Sequence, residues 1–462
     1  MIRLFNTYVP SRVLTLAASE AFLVCLMFVT ATILCFGSDA DLVLTYQYGM
    51  ARIGIVTAVF LACMYYLDLY DSLLLCNRQE VWRRLLEVGG IGTLALALLY
   101  YVYPDAGLGR RVFLVGIALV LPSLLLWREL FFATVRTLQL VQRAIIVGHG
   151  PLAGALAKEI QNHPEVGIML MGYIDSVPQA LGGNGLPYLG SPEELPELVA
   201  RENIRQIVVA MGDQRGKLRV EELLALKTRG VLVRDGNELY ETVTGKIAIE
   251  SLRLSWLLFS PGFHASRTRL VYKRIFSIVL SVIGLVLAFP VMLLIGLVVW
   301  LDSPGPLIFQ QRRVGKDGKI FSLYKFRSMH EEAGRAGSDK PAQEDDDRFT
   351  RVGRWIRLAR LDELPQLYNI FRGDMSFVGP RPFVPTQERE YAEKIPFYRQ
   401  RWTVKPGATG WAQVNRGYCA SLEDNAEKLA YDLFYIKNMS VGLDLLILLR
   451  TVKILMLGRG SR

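Results

Sequence analysis

Four long apolar runs crowd the first third of the chain, from about Val13 to Phe36, Met50 to Leu67, Val88 to Tyr103 and Val112 to Trp127. Each approaches the roughly 20 apolar residues a helix needs to cross a bilayer, and together they predict a four-helix transmembrane domain over 1–140. The first run is too long for a cleavable signal peptide, has no clear small-residue cleavage site and is followed by three more spans. Arg3 and Arg12 precede it, Arg78, Arg83 and Arg84 lie between the second and third runs, and Arg136 and Arg143 follow the fourth, whereas Asp39 and Asp41 lie in the first outer loop. The excess of cations on the inner side places the N-terminus and everything after the fourth span in the cytoplasm, with Arg110 and Arg111 against the trend.

From Arg143 the pattern changes to RAIIVGHGPLAGALAKEI: a short β-branched strand, a glycine-rich turn and a helix that starts with small residues. Further strand patterns end at Asp175 and run over Ile204–Met211 and Val231–Asp235, between helical stretches. Residues 141–260 therefore read as an α/β, Rossmann-like domain. Whether it binds a dinucleotide stays open, because Ala153 stands where the third glycine belongs and Gly154 comes one place late. The pattern favours a scaffold or regulatory role over nucleotide binding.

After a linker around Leu254 to Arg269, an apolar run from Ile275 to Leu301 carries Pro290 in its middle. Lys273 and Arg274 stand before it; Arg312, Arg313, Lys316 and Lys319 follow. Cations at both ends favour the same membrane face, and a proline removes a backbone donor and clashes with the preceding turn. The expectation is a re-entrant helix over 275–301 hinged at Pro290, opening a mainly α monotopic domain over 261–462.

Composition narrows the chemistry. The chain is 52% hydrophobic with a net charge of +10, and its cations flank apolar runs, which points to anionic lipid and phosphorylated substrates instead of nucleic acid. Cys25, Cys35, Cys63, Cys76 and Cys419 show no CxxC spacing, and His149, His163, His264 and His330 are far apart, so neither a disulfide framework nor a histidine-based metal centre is implied.

Beyond Gly305 the sequence is polar, glycine-punctuated and rich in arginine. Asp362 and Glu363 stand as an isolated acidic pair among Arg351, Arg354, Arg357, Arg360, Arg372 and Arg381. A carboxylate held among cations stays ionised, and the cations can gather an anionic diphosphate for attack on phosphorus. Alternatively, DELPQL is a helix start with Asp362 as its cap and Pro365 in the first turn. The two readings are compatible, since a helix N-terminus also presents free N–H groups to phosphate oxygens.

KFRSM at Lys325–Met329, LDELPQL at Leu361–Leu367, GDMSFVGPRP at Gly373–Pro382 and PGATGWAQV at Pro406–Val414 resemble the successive signatures of the polyprenyl-phosphate sugar-1-phosphate transferases, the monotopic phosphoglycosyl transferases. YDLFYIKNMS at Tyr431–Ser440 and the terminal GRGSR extend the likeness over about 190 residues. The domains ahead resemble the long form of that family, which is typical of exopolysaccharide initiation, including the PEP-CTERM-associated type. The resemblance implies an inner-membrane enzyme that moves a sugar-1-phosphate from a UDP-sugar to polyprenyl (undecaprenyl) phosphate and releases UMP. Asp362 would be the nucleophile and a magnesium ligand, with Glu363 assisting proton transfer or orienting the site. Arg357, Pro380, Arg381 and Pro382 would line the donor pocket, and Lys325 and Arg327 would contact phosphate or a lipid headgroup. Mg2+ is the implied cofactor; membrane lipid and a second copy of the chain are implied partners.

Two departures stand out. Phe289-Pro290 replaces the Ser-Pro of minimal members, and Asn415-Arg416-Gly417 replaces the usual Asn-Gly-Arg, which bears on whether Arg416 reaches the sugar phosphate. Trp402 and Trp411 are readable as interfacial anchors or as core. A nucleotide-sugar dehydratase is excluded because no tyrosine has a lysine four residues on. The competing expectation is a membrane-anchored nucleotide sensor or assembly scaffold without catalysis.

Overall fold

The computed structural model describes residues 2–4, 7–46, 48–70, 78–137, 142–163, 166–176, 186–211, 220–252, 260, 262–263, 266–330, 348–417 and 421–458. Cys76, His264, Cys419 and the last four residues of the GRGSR run lie outside the described residues. One compact unit covers Tyr8–Gly236 and a second Asn237–Arg462.

The first unit opens with α1 Ser11–Phe36, α2 Gly49–Tyr66, α3 Arg78–Val102 and α4 Arg110–Thr137, each containing a stretch long and apolar enough to cross a membrane. α3 starts ten residues before the expected apolar run. On α1 the buried positions Leu16, Glu20, Val24 and Phe28 recur every four residues, one stripe of a helix. Phe28 meets Phe60 of α2 and also lies so close to Gly116 of α4 that a side chain there would collide with its ring. Within this stripe Glu20 pairs with Arg128 of α4, Nε to Oε1 at 2.6 Å and Nη2 to Oε2 at 3.2 Å, while Arg128 also donates to the Leu69 carbonyl at 3.2 Å.

The rest of this unit is a parallel five-stranded sheet. Its strands are β1 Gln142–Val147, β2 Ile168–Ile174, β3 Tyr188–Gly190, β4 Gln206–Val209 and β5 Leu232–Asp235, ordered β3-β2-β1-β4-β5. Helices α5 Pro151–Asn162, α6 Leu195–Arg201 and α7 Val220–Thr228 are interleaved with them. Ala144 to Val147 are all buried, as expected of a central strand covered on both faces. Gly148 ends β1 at φ +106°, and a side chain there would collide with Met211. His149 and Asp175 close the strand ends with an Nδ1–Oδ2 contact of 2.6 Å.

The second compact unit starts well before the expected boundary near 260. α8, Gly236–Thr244, is fastened to it: Lys437 reaches Glu241 at 2.8 Å and Trp411 donates to the Gly245 carbonyl at 2.8 Å. α9, Arg267–Asp302, is the fifth helix long and apolar enough to cross a membrane. It runs on through Pro290 as one element, so the expected hinge is not a break in the helix. Both flanks are nonetheless tied to one stretch of chain. Arg274 donates to the carbonyls of Ile370 and Phe371, each at 2.7 Å, and Asp302 accepts from Val352 N–H at 3.1 Å.

An antiparallel hairpin, β6 Ile308–Val314 and β7 Ile320–Phe326, follows, and sequence patterning had not shown it. Then come α10 Arg351–Leu358, α11 Gln366–Arg372, β8 Ser376–Val378, α12 Pro385–Lys394, β9 Gly407–Thr409, α13 Trp411–Asn415, α14 Leu422–Asn438 and α15 Val441–Met456. β8 and β9 pair in parallel. Trp411 is buried and stacks on Phe434, while Trp402 hydrogen-bonds Glu388 at 2.8 Å. Trp411 therefore belongs to the core.

Candidate active site

The acidic pair is placed by a backbone reversal. α10 ends at Leu358, and Arg360 adopts φ +57°, a left-handed conformation that turns the chain at a cost of about 1 kcal/mol. A 3-10 turn, Leu361–Glu363, follows. Leu361 and Leu364 pack into a cluster with Ile295, Val299, Phe326 and Ile356, pinning the turn to the second half of α9. Asp362 is thus not the cap of α11. Pro365 occupies that position and no side chain caps the helix.

Asn369, fully buried on α11, fixes the turn against the hairpin: its side chain accepts from Tyr324 N–H at 3.0 Å and donates to the Ser322 carbonyl at 2.7 Å. Lys325, next on β7, brings its Nζ to 3.2 Å from Glu363 Oε1, and Arg381 brings Nη2 to 3.5 Å from the same oxygen. Asp362 is buried, with Glu363 beside it and Arg357 and Arg360 in its field. Arg357 also stacks on Phe349, guanidinium carbon to ring centre 4.7 Å.

The two carboxyls are driven apart electrostatically. Burial raises Asp362 above the usual carboxylate range, Glu363 adding to it and Lys325, Arg357 and Arg360 only partly offsetting it. Burial also opposes ionisation of Glu363, but Lys325, Arg381 and Arg360 outweigh it and hold this carboxyl down at about 2. The cations expected around the acidic pair as a whole therefore concentrate on Glu363. Asp362 is left as the poorly solvated carboxyl of the pair, held off its ordinary value in the opposite direction to Glu363.

The Gly379–Pro382 stretch beside them is held by its carbonyls. Pro380 accepts from Gly407 N–H at 2.9 Å, Arg381 from Arg401 at 3.0 Å and Pro382 from Arg313 at 3.0 Å. A side chain at Gly379 would strike the Lys405 carbonyl, and one at Gly407 or Gly410 would strike Gly379, which accounts for the glycines of the two motifs. The structure thus brings together Asp362, Glu363, Lys325, Arg357 and Arg381, with Pro380 and Pro382 framing Arg381.

Other expected residues lie elsewhere. The Arg327 guanidinium is buried against the chain after α9, donating to the carbonyls of Pro304 at 2.8 Å and Ser303 at 2.5 Å and to the Ser303 hydroxyl at 2.9 Å. It fastens the backbone that follows α9. Arg416 pairs with Asp424 at 3.1 Å and Glu427 at 3.0 Å on α14. Nothing in the sequence marks Asn369 or Arg401 as site residues; each shows its role only through its burial.

Among the described residues no three His, Cys, Asp or Glu side chains converge as a ready-made metal centre. Asp362 is nevertheless compatible with magnesium, which is commonly held by one or two carboxylates, water and the substrate's own phosphate oxygens.

A family profile described as bacterial sugar transferase matches residues 268–458, and one described as a CoA-binding domain matches 66–227. A UDP-N-acetylgalactosamine-undecaprenyl-phosphate N-acetylgalactosaminephosphotransferase of Aeromonas hydrophila is 42% identical over 228 residues, 49% of this chain and 52% of that protein. UDP-glucose:undecaprenyl-phosphate glucose-1-phosphate transferases of Xanthomonas campestris pv. campestris and Escherichia coli (strain K12) are 33% and 35% identical, over 68% and 67% of this chain and 67% of each relative. The matches thus span about half of the first relative's length and two thirds of the other two.

Proposed function

The chain belongs to the bacterial sugar transferase family, and from that membership we propose that it transfers a sugar-1-phosphate from a UDP-sugar to undecaprenyl phosphate, initiating an exopolysaccharide. The observation that carries the reading is the split pair: a buried Asp362 with a raised carboxyl beside a Glu363 clamped by Lys325 and Arg381. An ionised Asp362 oxygen attacks the β-phosphorus of the donor; the bond from that phosphorus to the bridging oxygen breaks and UMP leaves with its electron pair. The sugar-phosphate is then held on Asp362 as an acyl phosphate. An oxygen of undecaprenyl phosphate attacks the same phosphorus, forming the diphosphate and restoring the carboxylate. Two steps let a soluble donor and a lipid acceptor use one nucleophile in turn.

Arg357 and Arg381 supply positive charge where the diphosphate would lie, and Glu363 keeps Lys325 and Arg381 in place. Magnesium, held by Asp362 and the donor's phosphate oxygens, would neutralise charge on the leaving group. Chemistry at a bilayer suits α9 entering and leaving the cytoplasmic leaflet, since both of its flanks attach to the Val352–Phe371 stretch. The charge distribution supports an inner-membrane location with the α/β and transferase parts in the cytoplasm.

The test is UMP release from a panel of UDP-sugars by the full chain in nanodiscs, with magnesium and no acceptor, followed by mass spectrometry of the Asp362 peptide. A sugar-phosphate adduct on Asp362 with one donor supports the reading and names the sugar. If no donor releases UMP, with or without undecaprenyl phosphate, a scaffold without catalysis takes its place.

A further inference from the structure

Arg401 lies in none of the motifs and touches neither Asp362 nor Glu363, yet it is among the most densely partnered buried cations in its unit. Its side chain is 4% exposed. Nη2 lies 2.9 Å from Asp432 Oδ2 and donates to the Arg381 carbonyl at 3.0 Å, while Nη1 donates to the Tyr398 hydroxyl at 2.5 Å and lies 3.5 Å from Glu388 Oε1. The guanidinium also stands 5.0 Å from the ring centres of both Phe383 and Tyr398.

A buried guanidinium between two carboxylates is a poor source of stability, because well-packed apolar side chains of the same volume commonly do as well. Its specific product is geometric. Pro380 and Pro382 have φ fixed by their rings, so the remaining freedom of the Pro-Arg-Pro stretch lies largely in the peptide orientations at each carbonyl. The three carbonyls are held by Gly407, Arg401 and Arg313. Arg401 serves the middle one, and that residue's own side chain reaches Glu363. Asp432, from the YDLFYIKNMS run, holds Arg401 from behind, which gives that motif a task. Three residues on, the Tyr435 hydroxyl of the same helix donates to Asp444 at 2.7 Å and lies 3.3 Å from the Val378 carbonyl, just before the stretch begins.

We propose that Arg401, backed by Asp432 and Glu388, is a positioning residue that sets the backbone of Arg381 and thereby the grip of Arg381 on Glu363 beside the nucleophile. This rests on the transferase reading. A lysine at 401 keeps a cation between the carboxylates but loses the planar fork that serves carboxylate and carbonyl together. In the full chain in nanodiscs, Arg401→Lys is expected to lower kcat for UMP release at least tenfold with Tm within a few degrees of wild type, and to speed amide exchange in the peptide spanning 376–383 and little else. Should Arg401→Lys fail to fold, Asp432→Asn is expected to move both readouts the same way by about threefold. Wild-type kcat, or wild-type exchange over 376–383, in a folded variant overturns the proposal. An inactive wild type sinks the transferase reading instead, and the exchange measurement then decides the fastening by itself.

Discussion

Replacing Arg327 by methionine separates two roles that its motif leaves open. Its guanidinium makes three hydrogen bonds, at 2.8, 2.5 and 2.9 Å, to two carbonyls and a hydroxyl that follow α9. Methionine keeps most of the stem volume, so little cavity forms, but the buried Ser303 and its neighbouring carbonyl lose their donor. At about 1 kcal/mol net per bond, the loss is roughly 3 kcal/mol. For a unit of this size each kcal/mol shifts Tm by about 2–4 °C, giving a drop of roughly 6–12 °C. Thermal unfolding in nanodiscs, followed by tryptophan fluorescence, measures it, alongside the dependence of UMP release on donor concentration. The structure predicts a lower Tm with the donor KM within about twofold. A tenfold rise in KM at unchanged Tm would return Arg327 to the phosphates and refute the reasoning.

Asp362→Asn, which preserves shape, should abolish the adduct and lower UMP release by about a thousandfold or more with the fold intact; residual turnover within tenfold of wild type would remove Asp362 as nucleophile. Because Asp362 must be ionised and its carboxyl is raised, UMP release should fall on acidification at a pH above the ordinary carboxylate range, and Glu363→Gln should move that limb to lower pH while reducing kcat. Asp432, pushed up from 3.8 to about 6 by burial against the pull of Arg401, should contribute most to stability below pH 4 and lose that contribution as pH rises through 6. Asp432→Asn should flatten this slope of Tm between pH 4.5 and 7. Glu20→Gln leaves Arg128 buried without its carboxylate and should destabilise the first unit by about 3–5 kcal/mol, seen as earlier unfolding; an unchanged Tm would mean water already reaches the pair.

The helices of the first unit were legible because each apolar run is one element, but α3 begins on charged residues whose helicity hydropathy cannot register. Glu20 sat in plain view at a four-residue interval from Leu16 and Val24, yet its partner is 108 positions away and no local pattern names it. The parallel sheet was readable from β-branched strands between glycine turns; three-residue β3 is too short to alternate. Asp362, Glu363, Lys325 and Arg381 were identified by motif, but not the asymmetry between the two carboxyls. That depends on which of them the lysine of β7 reaches, a matter of hairpin register. Arg327 and Arg401 are indistinguishable from surface arginines in a cation-rich sequence until burial is known.

The apolar stretch 275–301 of α9 rises about 40 Å as a helix, against a hydrocarbon core of about 30 Å, so a single crossing would demand a tilt near the limit seen for membrane helices. On the re-entrant path proposed above, the parts of the same stretch on either side of Pro290 rise roughly 22 and 16 Å, close to one leaflet's depth. An element inserted that way adds cross-section to the inner leaflet alone. On that proposed path it would behave as a wedge, its insertion responding to lateral pressure and headgroup size in one leaflet and nearly blind to total bilayer thickness, whereas helices that cross the bilayer would feel both leaflets equally.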